Sequence, residues 1–224
     1  MRKIIAITQV TLDGVMQAPG GPEEDPNASF AHGGWAMPFF DDPMTDEIVG
    51  ELMSREFDLL LGRRTYEIFA AYWPYAGGDN SIAKGFNKAT KFVVTRTLDR
   101  FDWKKSQPIG GDVVEKLRKL KASDGPELHV WGSGNLLQTL IAADLVDEFR
   151  LWVFPLILGK GKRLFENGVP PRGLTLVESK RAQSGVLFNV YHSTGTQPQL
   201  SSGPENPSKA ELARRKKLAA ETKH

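Results

Sequence analysis

The sequence predicts an α/β fold, a three-layer α/β/α sandwich whose central sheet is mostly parallel and carries an antiparallel hairpin at its C-terminal edge. Short runs rich in β-branched and aromatic residues alternate with segments of helical periodicity, as in this class. The central runs are almost continuously apolar, as a sheet covered by helices on both faces requires. The last two runs alternate between polar and apolar residues and meet at a short turn around Ser184, which predicts the hairpin.

Each predicted strand is a short run between turn-forming residues, and the helices fill the intervals. Strands are predicted at 3–10, 57–62, 90–95, 127–131, 146–154, 174–182 and 185–193, and helices at 43–55, 64–73, 112–121 and 134–143. In the first helix, Met44, Ile48 and Leu52 recur every four residues. Residues 11–42 are rich in Gly, Pro and acids, and so long a loop is typical of a lid, a binding loop or a disordered segment.

The composition restricts the chemistry. The chain has 224 residues, of which 40% are hydrophobic and 25% charged, as in a globular domain with a substantial core. It has no cysteine, which excludes disulfides, thiolate zinc sites and a cysteine nucleophile, and its histidines are scattered, so no metal is expected. No run of about 18 apolar residues occurs, and the apolar N-terminal segment resembles a strand more than a signal peptide. We therefore expect a cytoplasmic protein without a membrane span.

The C-terminal segment differs from the rest of the chain. We predict one folded domain over residues 1–195, then a flexible linker and a basic helical tail over 196–224, with Ser208 as the helix cap. This segment carries six Lys or Arg against three acids, a net charge of +3, so residues 1–195 have a net charge of −1. Basic clusters bind nucleic acids or acidic partners. This one is short and has no aromatic residue for base stacking, so nucleic acid is not the favoured partner.

Three turns at the ends of predicted strands carry residues that suit anion binding. They are Gly62-Arg63-Arg64-Thr65, Thr95-Arg96 and Gly132-Ser133-Gly134-Asn135, each at the end of a predicted strand. Backbone N–H groups at a helix start, guanidinium groups and hydroxyls suit phosphate groups. The carboxyl ends of parallel strands share one edge of the sheet, where ligands of α/β proteins bind. The alternative is that the arginines are only solvated.

The third turn is not a Rossmann fingerprint. Leu137 stands where a third glycine is required, and the unit comes late in the chain. No Gly-Lys-Ser/Thr follows the turn, which excludes a Walker loop. The case for a nucleotide site therefore depends on the three turns together.

The order of the motifs resembles a known family. The motifs TLDGVMQ (11–17), GRRTYE (62–67), VVTRTL (93–98) and VWGSGNLLQTLIAADLVDEFRLWVFPLILGKGKRLF (130–165) precede the closing hairpin. Together they resemble the dihydrofolate reductase superfamily, and within it the branch of the reductase domain of the riboflavin-biosynthesis deaminase-reductase. The resemblance covers about residues 2–193 and implies a dihydrofolate-reductase-like fold. The zinc-dependent deaminase half of that enzyme has no counterpart here, since its metal needs cysteines.

The resemblance implies NADPH as the cofactor. Gly62, Arg63, Arg64 and Thr65 would lie on its phosphates, Thr95 and Arg96 on the adenosine 2′-phosphate, and Gly132, Ser133, Gly134 and Asn135 on the pyrophosphate and nicotinamide ribose. Asp13 and Gly14 would form the turn of a mobile loop beside the nicotinamide.

The resemblance also implies a substrate side. Asp46, near the start of the first helix, would anchor a pteridine and assist its protonation, or else Asp41, Asp42 and Asp46 only stabilise the helix start. Asp13, Trp35, Lys160 and Lys162 are the further candidates for substrate binding. Lys160 and Lys162, with Arg163, would hold a substrate phosphate or else are solvated. The segment GGWAMPFFDD lacks the spacing typical of folate reduction.

The resulting hypothesis is an NADPH-dependent reductase. It would transfer a hydride to a pterin-like heterocycle or to a (phosphoribosylamino)pyrimidine, as dihydrofolate reductase or the riboflavin-biosynthesis reductase does. The alternatives are a family member that binds a nucleotide without turnover, and a protein that binds nucleic acid or an acidic partner through its tail. A homodimer through edge strands or the apolar run at 146–157 is also expected.

Overall fold

The computed structural model describes residues 1–165, 169–198 and 206–221. The strands are β1 (Ile4–Thr11), β2 (Phe57–Gly62), β3 (Lys91–Val94), β4 (Ser106–Ile109), β5 (Glu127–Trp131), β6 (Glu148–Phe154), β7 (Leu174–Arg181) and β8 (Leu187–Ser193). The helices are α1 (Pro43–Ser54), α2 (Arg63–Tyr72), α3 (Ser81–Lys88), α4 (Val113–Ala122), α5 (Gly134–Ala142) and α6 (Lys209–Glu221).

The strands form one sheet in the order β4-β3-β2-β5-β1-β6-β8-β7. The pairs among β1 to β6 are parallel, and β8 pairs antiparallel with both β6 and β7. The prediction of a mostly parallel sheet with an antiparallel C-terminal edge is therefore confirmed. Because β1 to β6 are parallel, the turns that follow β2, β3, β4 and β5 all lie at one edge of the sheet.

Helices cover both faces of the sheet. Along β2, Leu60 belongs to the core under α4 and α5, whereas Leu59 and Leu61 belong to the core under α2 and α3. Ile48 and Leu52 of α1 pack on the same side as α2 and α3. Burial of one such side chain contributes about 1.5–3 kcal/mol. The three-layer α/β/α sandwich is confirmed, and its core depends on the period-two alternation of strand side chains.

Two elements, β4 and α3, were missed by sequence reasoning. β4 has four residues, contains Pro108 and lies at the sheet edge, where proline is tolerated. Helix α3 contains Gly85, which usually lowers helix propensity. Here a Cβ on Gly85 would lie 2.9 Å from Met53 Sδ of α1, so glycine permits close packing of the two helices.

The long loop over residues 12–42 packs against the sheet. Phe30, Trp35 and Ala36 are buried in the core beside α1. The Trp35 Nε1–H donates to the Gln17 carbonyl at 2.7 Å. A Cβ at Gly33 would lie 2.5 Å from the Gly21 carbonyl oxygen, so two parts of the loop meet through a glycine. The loop is thus a packed element of the domain.

In the described part of the C-terminal segment, the Thr196 carbonyl accepts the Gly173 N–H at 2.9 Å, and the helix beyond it is exposed. Strand β8 ends at Ser193, and α6 has no buried residue. The Glu211 N–H donates to the Ser208 hydroxyl at 3.2 Å, which caps α6. Much of the predicted linker, 199–205, lies outside the described residues, so the boundary at 195 stays a prediction. None of the helices in the described parts of the chain is long and apolar enough to cross a membrane.

We predict that Asp58→Ala destabilises the fold by about 3–5 kcal/mol, because it leaves a buried cation unpaired. Arg2 is buried, pairs with Asp58 and donates from Nε to the Pro126 carbonyl at 2.7 Å. Asp58 also accepts the Thr90 N–H at 2.9 Å. Urea unfolding measures the loss.

The matched control is Glu51→Ala, which removes an ion pair to Arg55 whose side chains are both 51% exposed. It should cost less than about 1 kcal/mol. Equal losses in the two variants would contradict the assignment of a stabilising role to the Arg2–Asp58 pair.

Candidate active site

The first and third predicted turns are in direct contact. The Gly62 N–H, at the end of β2, donates to the Ser133 hydroxyl at 3.0 Å. Ser133 has φ 58° and its hydroxyl also lies 3.3 Å from the Trp131 carbonyl. The left-handed conformation costs a non-glycine residue about 1–2 kcal/mol, which these side-chain contacts help to offset. A Cβ on Gly132 would approach Thr65 Oγ1 to 3.9 Å, so the two turns form one surface.

The strands separate toward this edge. β2 pairs with β5 only from Phe57 to Leu59, although β2 runs on to Gly62 and β5 to Trp131. The Ser133 hydroxyl bridges the two strands beyond the point where their pairing ends. Crevices of this kind, outside the carboxyl ends of parallel strands, are where α/β folds bind ligands.

The second turn lies beside the first. Gly62 pairs with Val94 of β3, directly before Thr95. The Thr95 hydroxyl accepts the N–H groups of Thr97 at 3.2 Å and of Leu98 at 3.0 Å. Arg96 is exposed. The structure therefore brings all three predicted turns to one edge.

A fourth turn, Gly110-Gly111, lies at the same edge and was not predicted. It follows β4, and the Thr95 N–H donates to the Ile109 carbonyl at 3.1 Å. A Cβ on Gly110 would lie 3.3 Å from the Thr95 carbonyl oxygen. The signal in the sequence was the double glycine before Asp112, which caps α4 by accepting the Glu115 N–H at 3.0 Å.

The starts of α2 and α5 are suited to an anion. Gly62 and Ser133 occupy the two N-cap positions, and neither makes a side-chain capping bond. The first N–H groups of each helix thus remain available, at the positive end of the helix dipole. Arg63 pairs with Glu67 at 2.9 and 3.0 Å, whereas Arg64 lies 3.8 Å from Asp25.

Two loops form a structure that we call the clasp, residues 13–17 and 158–164. The Met16 N–H donates to the Lys162 carbonyl at 2.8 Å, and the Leu164 N–H to the Gly14 carbonyl at 3.0 Å. Gly14 has φ 82°, the conformation that its turn requires. Met16 Sδ lies 3.4 Å from the position of a Cβ on Gly134, so the clasp contacts the third turn.

Asp13 fastens the clasp. Its carboxylate accepts the Thr11 hydroxyl at 2.6 Å and the Gly159 N–H at 2.9 Å, and it pairs with Arg163 at 3.3 Å. The Thr11 hydroxyl, aided by the Leu158 and Gly159 N–H groups and by Arg163, lowers the pKa of Asp13 to about 2 against the opposing effect of desolvation. Asp13, predicted to bind substrate, is thus engaged within the protein.

The other predicted substrate residues lie in different surroundings. Trp35 is buried, with its ring 5.2 Å from that of Phe154. Asp46 is exposed in the first turn of α1, whose buried residues are Thr45, Ile48 and Leu52, so it lies on the outward side. Lys160 is exposed and Lys162 pairs with Asp25. Trp35 and Lys162 both donate to Gln17, to its carbonyl and to its Oε1, whereas Asp46 lies on the outward side of α1.

Asp42 is the N-cap of α1. Its carboxylate accepts the Met44 N–H at 3.0 Å and the Ser184 N–H at 3.2 Å. The contacts of Asp42 therefore agree with the alternative in which this acid only stabilises the start of the helix.

The described residues contain no group of three or more His, Asp or Glu that could hold a metal ion.

Trp131 was missed by sequence reasoning. It is the last residue of β5, directly before the third turn, and its ring lies 5.3 Å from that of Phe86. It packs against the core beside α1 and against the core under α2 and α3. Its indole N–H is buried and has no hydrogen-bond partner within the described part of the chain. A buried donor without a partner costs about 1–3 kcal/mol, so this N–H is an unmet hydrogen-bonding group beside the third turn.

The fold is dihydrofolate-reductase-like. Three solved structures share the fold: a putative riboflavin biosynthesis protein from Shewanella sp. PV-4 (21% identity, TM-score 0.59, 86% of this chain and 99% of that one); dihydrofolate reductase from Enterococcus faecalis, complexed with NADP(H) and RAB-propyl (16%, 0.52, 86% and 96%); and a pyrimidine reductase-like protein from Corynebacterium diphtheriae (12%, 0.54, 86% and 92%).

The chain belongs to the RibD C-terminal domain family, whose profile matches residues 2–188. It is 29% identical over 197 residues to the uncharacterized protein YyaP of Bacillus subtilis strain 168, covering 87% of this chain and 96% of that protein. The resemblance inferred from the motifs is thereby confirmed. The chain is a member of a reductase family.

We predict that Asp13 contributes stability that depends on pH. Its pKa of about 2 in the folded protein lies below the value near 4 of an unfolded chain, so its ionised form stabilises the fold. This contribution is complete above about pH 4 and is lost as the pH falls through about 2. Urea unfolding should show that Asp13→Asn is less stable than the wild type at pH 7, with the difference shrinking below pH 4.

The control for the loss of one negative charge is Asp79→Asn, at an exposed position. It should change stability little at either pH. A deficit of Asp13→Asn that is the same at pH 7 and pH 3 would contradict the prediction.

Proposed function

We propose that the protein is an NADPH-dependent reductase that transfers a hydride to a pterin-like or pyrimidine-like heterocycle. The observation that carries the proposal is the contact of the first and third turns through Ser133, with the second turn beside them. Membership of the RibD C-terminal domain family supports a reductase. The Enterococcus faecalis dihydrofolate reductase of similar fold was solved with NADP(H), which supports this cofactor.

The residues of the edge fit such a cofactor. Two helix starts without side-chain caps, at Gly62 and Ser133, offer backbone N–H groups to a pyrophosphate. Gly132 and Gly134 allow a close approach of the backbone. Arg96, beside Thr95, is the exposed guanidinium for a 2′-phosphate, the group that distinguishes NADPH from NADH. When bound, the nicotinamide would supply the hydride.

The protein would position the heterocycle and exclude water. Trp131 lies where β5 meets the third turn, so its open N–H is a donor for an acceptor on the substrate. Asp46 stays a candidate for the catalytic acid, but it lies on the outward side of α1. We therefore favour an ordered water as the proton donor, and Asp46→Asn should leave turnover unchanged if this is correct.

A homodimer remains part of the proposal. β7 is the edge strand of the sheet, and Leu174, Leu176 and Val177 are exposed on it. An exposed edge with apolar side chains invites pairing with a second chain. The cytoplasmic location stays an expectation from the sequence.

We predict that NADPH protects the protein against thermal unfolding and that NADH does so less. Binding to the folded state stabilises it by about 2.7 kcal/mol at a hundredfold excess over Kd. Arg96→Ala should weaken NADPH by roughly tenfold or more and leave NADH unchanged, because one charge-assisted contact to the 2′-phosphate is lost. Titrations with NADPH and with NADH, in which the midpoint of thermal unfolding is followed, measure the affinity for each nucleotide.

The matched control is Arg100→Ala, which removes an exposed arginine that pairs with Asp102 after the second turn. It should leave both nucleotides unaffected. No protection by millimolar NADPH would overturn the proposal. Oxidation of NADPH is measured by its absorbance in the presence of each of a panel of pterins and pyrimidines. Protection by NADPH without such oxidation would favour the alternative of a nucleotide-binding protein without turnover.

We predict that Trp131→Phe raises the KM of the heterocycle by roughly five- to tenfold, the effect of about 1 kcal/mol. NADPH affinity should not change, since phenylalanine keeps an aromatic ring at this position while it removes the N–H donor. The indole ¹H–¹⁵N resonance that disappears in this variant should shift in the wild type when 6-methylpterin is added with NADP⁺. An unchanged KM with an unshifted resonance would remove Trp131 from the site.

A further inference from the structure

Asp25 lies between two cationic side chains that were predicted from the sequence to bind anions. Its carboxylate pairs with the Lys162 ammonium of the clasp and lies 3.8 Å from Nη1 of Arg64 in the first turn. The Asn27 side-chain amide also donates to it. Burial alone would raise the pKa of Asp25, but the hydrogen bonds from Lys162 and Asn27 outweigh burial and lower it. A negative charge thus occupies the space between the first turn and the clasp.

The protein fixes this carboxylate in place through Gln17. The Gln17 side-chain amide donates to the Asp25 carbonyl at 2.9 Å and to the Asn27 carbonyl at 3.0 Å. Its Oε1 accepts the Lys162 N–H at 3.0 Å. Gln17 is itself 3% exposed, and the Asp25 side chain is 15% exposed. Asp25 therefore belongs to a part-buried hydrogen-bond network and is not a freely moving surface acid.

The neighbouring cations are engaged as well. Arg163 pairs with Asp13 at 3.3 Å and donates to the Gly159 carbonyl at 3.1 Å. The loop that contains GKGK is the one that would bind the phosphate of a phosphoribosyl substrate. Its cations and N–H groups thus already contact two acids of the same chain, Asp13 and Asp25. Lys160 is the exposed cation that remains on this loop.

We infer that Asp25 is a specificity-determining residue: it occupies the anion position between Arg64 and Lys162 and restricts the substrate to heterocycles without a phosphate group. A phosphate carries about 1.5–2 negative charges at neutral pH, and the fixed carboxylate repels it from the two cations. The inference rests on the proposed function, since only an enzyme of that kind has a substrate to select. The cofactor phosphates would be spared, since the starts of α2 and α5 and Arg96 would hold them, and Arg64 keeps further N–H groups for them.

The test compares ribose 5-phosphate with ribose as probes, in the wild-type chain and in Asp25→Asn. Backbone amide resonances of Lys162 and Arg64 report binding, with and without saturating NADP⁺. The wild type should show no saturable shift with either sugar at millimolar concentrations. Asp25→Asn should bind ribose 5-phosphate at least roughly tenfold more tightly than the wild type, with an affinity that salt weakens, and should not bind ribose.

Two further variants make the result specific. Glu24→Gln removes the adjacent acid, which accepts the Gly20 and Gly21 N–H groups and does not contact the two cations, and should gain nothing. Asp25→Asn combined with Lys162→Ala should lose the gained binding. If Asp25→Asn does not fold, Asp25→Ser, which also removes the charge, takes its place.

Two outcomes would overturn the inference: ribose 5-phosphate binding at Lys162 in the wild type as tight as in the variant, or no gain in a folded Asp25→Asn. The titration needs neither turnover nor bound cofactor. Failure of NADPH to bind the wild type would therefore refute the proposed function. The sugar titration would still show whether Asp25 excludes a phosphate from the position between Arg64 and Lys162.

Discussion

The hydrogen bond from the Gly62 N–H to the Ser133 hydroxyl is the constraint on which the candidate site depends. β2 and β5 are paired only up to Leu59 and His129, and the sheet opens beyond that point. This bridge links the N-termini of the two helices that follow these strands. With it, two sets of open N–H groups face one crevice. The left-handed conformation of Ser133 is the local strain that this arrangement requires.

The clasp adds a second constraint through part-buried ion pairs. The acids Asp13 and Asp25 come from the loop after β1, and their partners Arg163 and Lys162 come from the loop after β6. Since β1 and β6 are paired along most of β6, the two loops begin side by side. The ion pairs then hold the long loop against the third turn, where Met16 approaches Gly134. Sheet register thus determines which acids meet which cations.

The sequence predicts the fold well because the fold depends on local patterns. Apolar runs such as those at β2 and β5 identify buried parallel strands, and the glycines and arginines after them identify the turns. It misses β4 and α3, since Pro108 and Gly85 oppose their elements locally and only packing explains them. The parallel direction of the strands then makes the convergence of the turns at one edge predictable.

The substrate side is harder to predict from the sequence, because it is determined by contacts between residues that are far apart in the chain. Asp25 and Lys162 are 137 residues apart, and no spacing in the sequence announces that they meet. A cluster of lysines and arginines predicts an anion site only when its cations are free, which sequence alone does not establish. Trp131 likewise becomes informative only when its buried N–H is seen to lack a partner within the described residues. A family can therefore keep the sheet edge that suits one cofactor while the loops over the substrate half change charge. In this chain the loop after β1 supplies the acids that pair with Lys162 and Arg163 of the clasp. Under the proposed exclusion of phosphate, the same residues would therefore close the clasp and select the substrate.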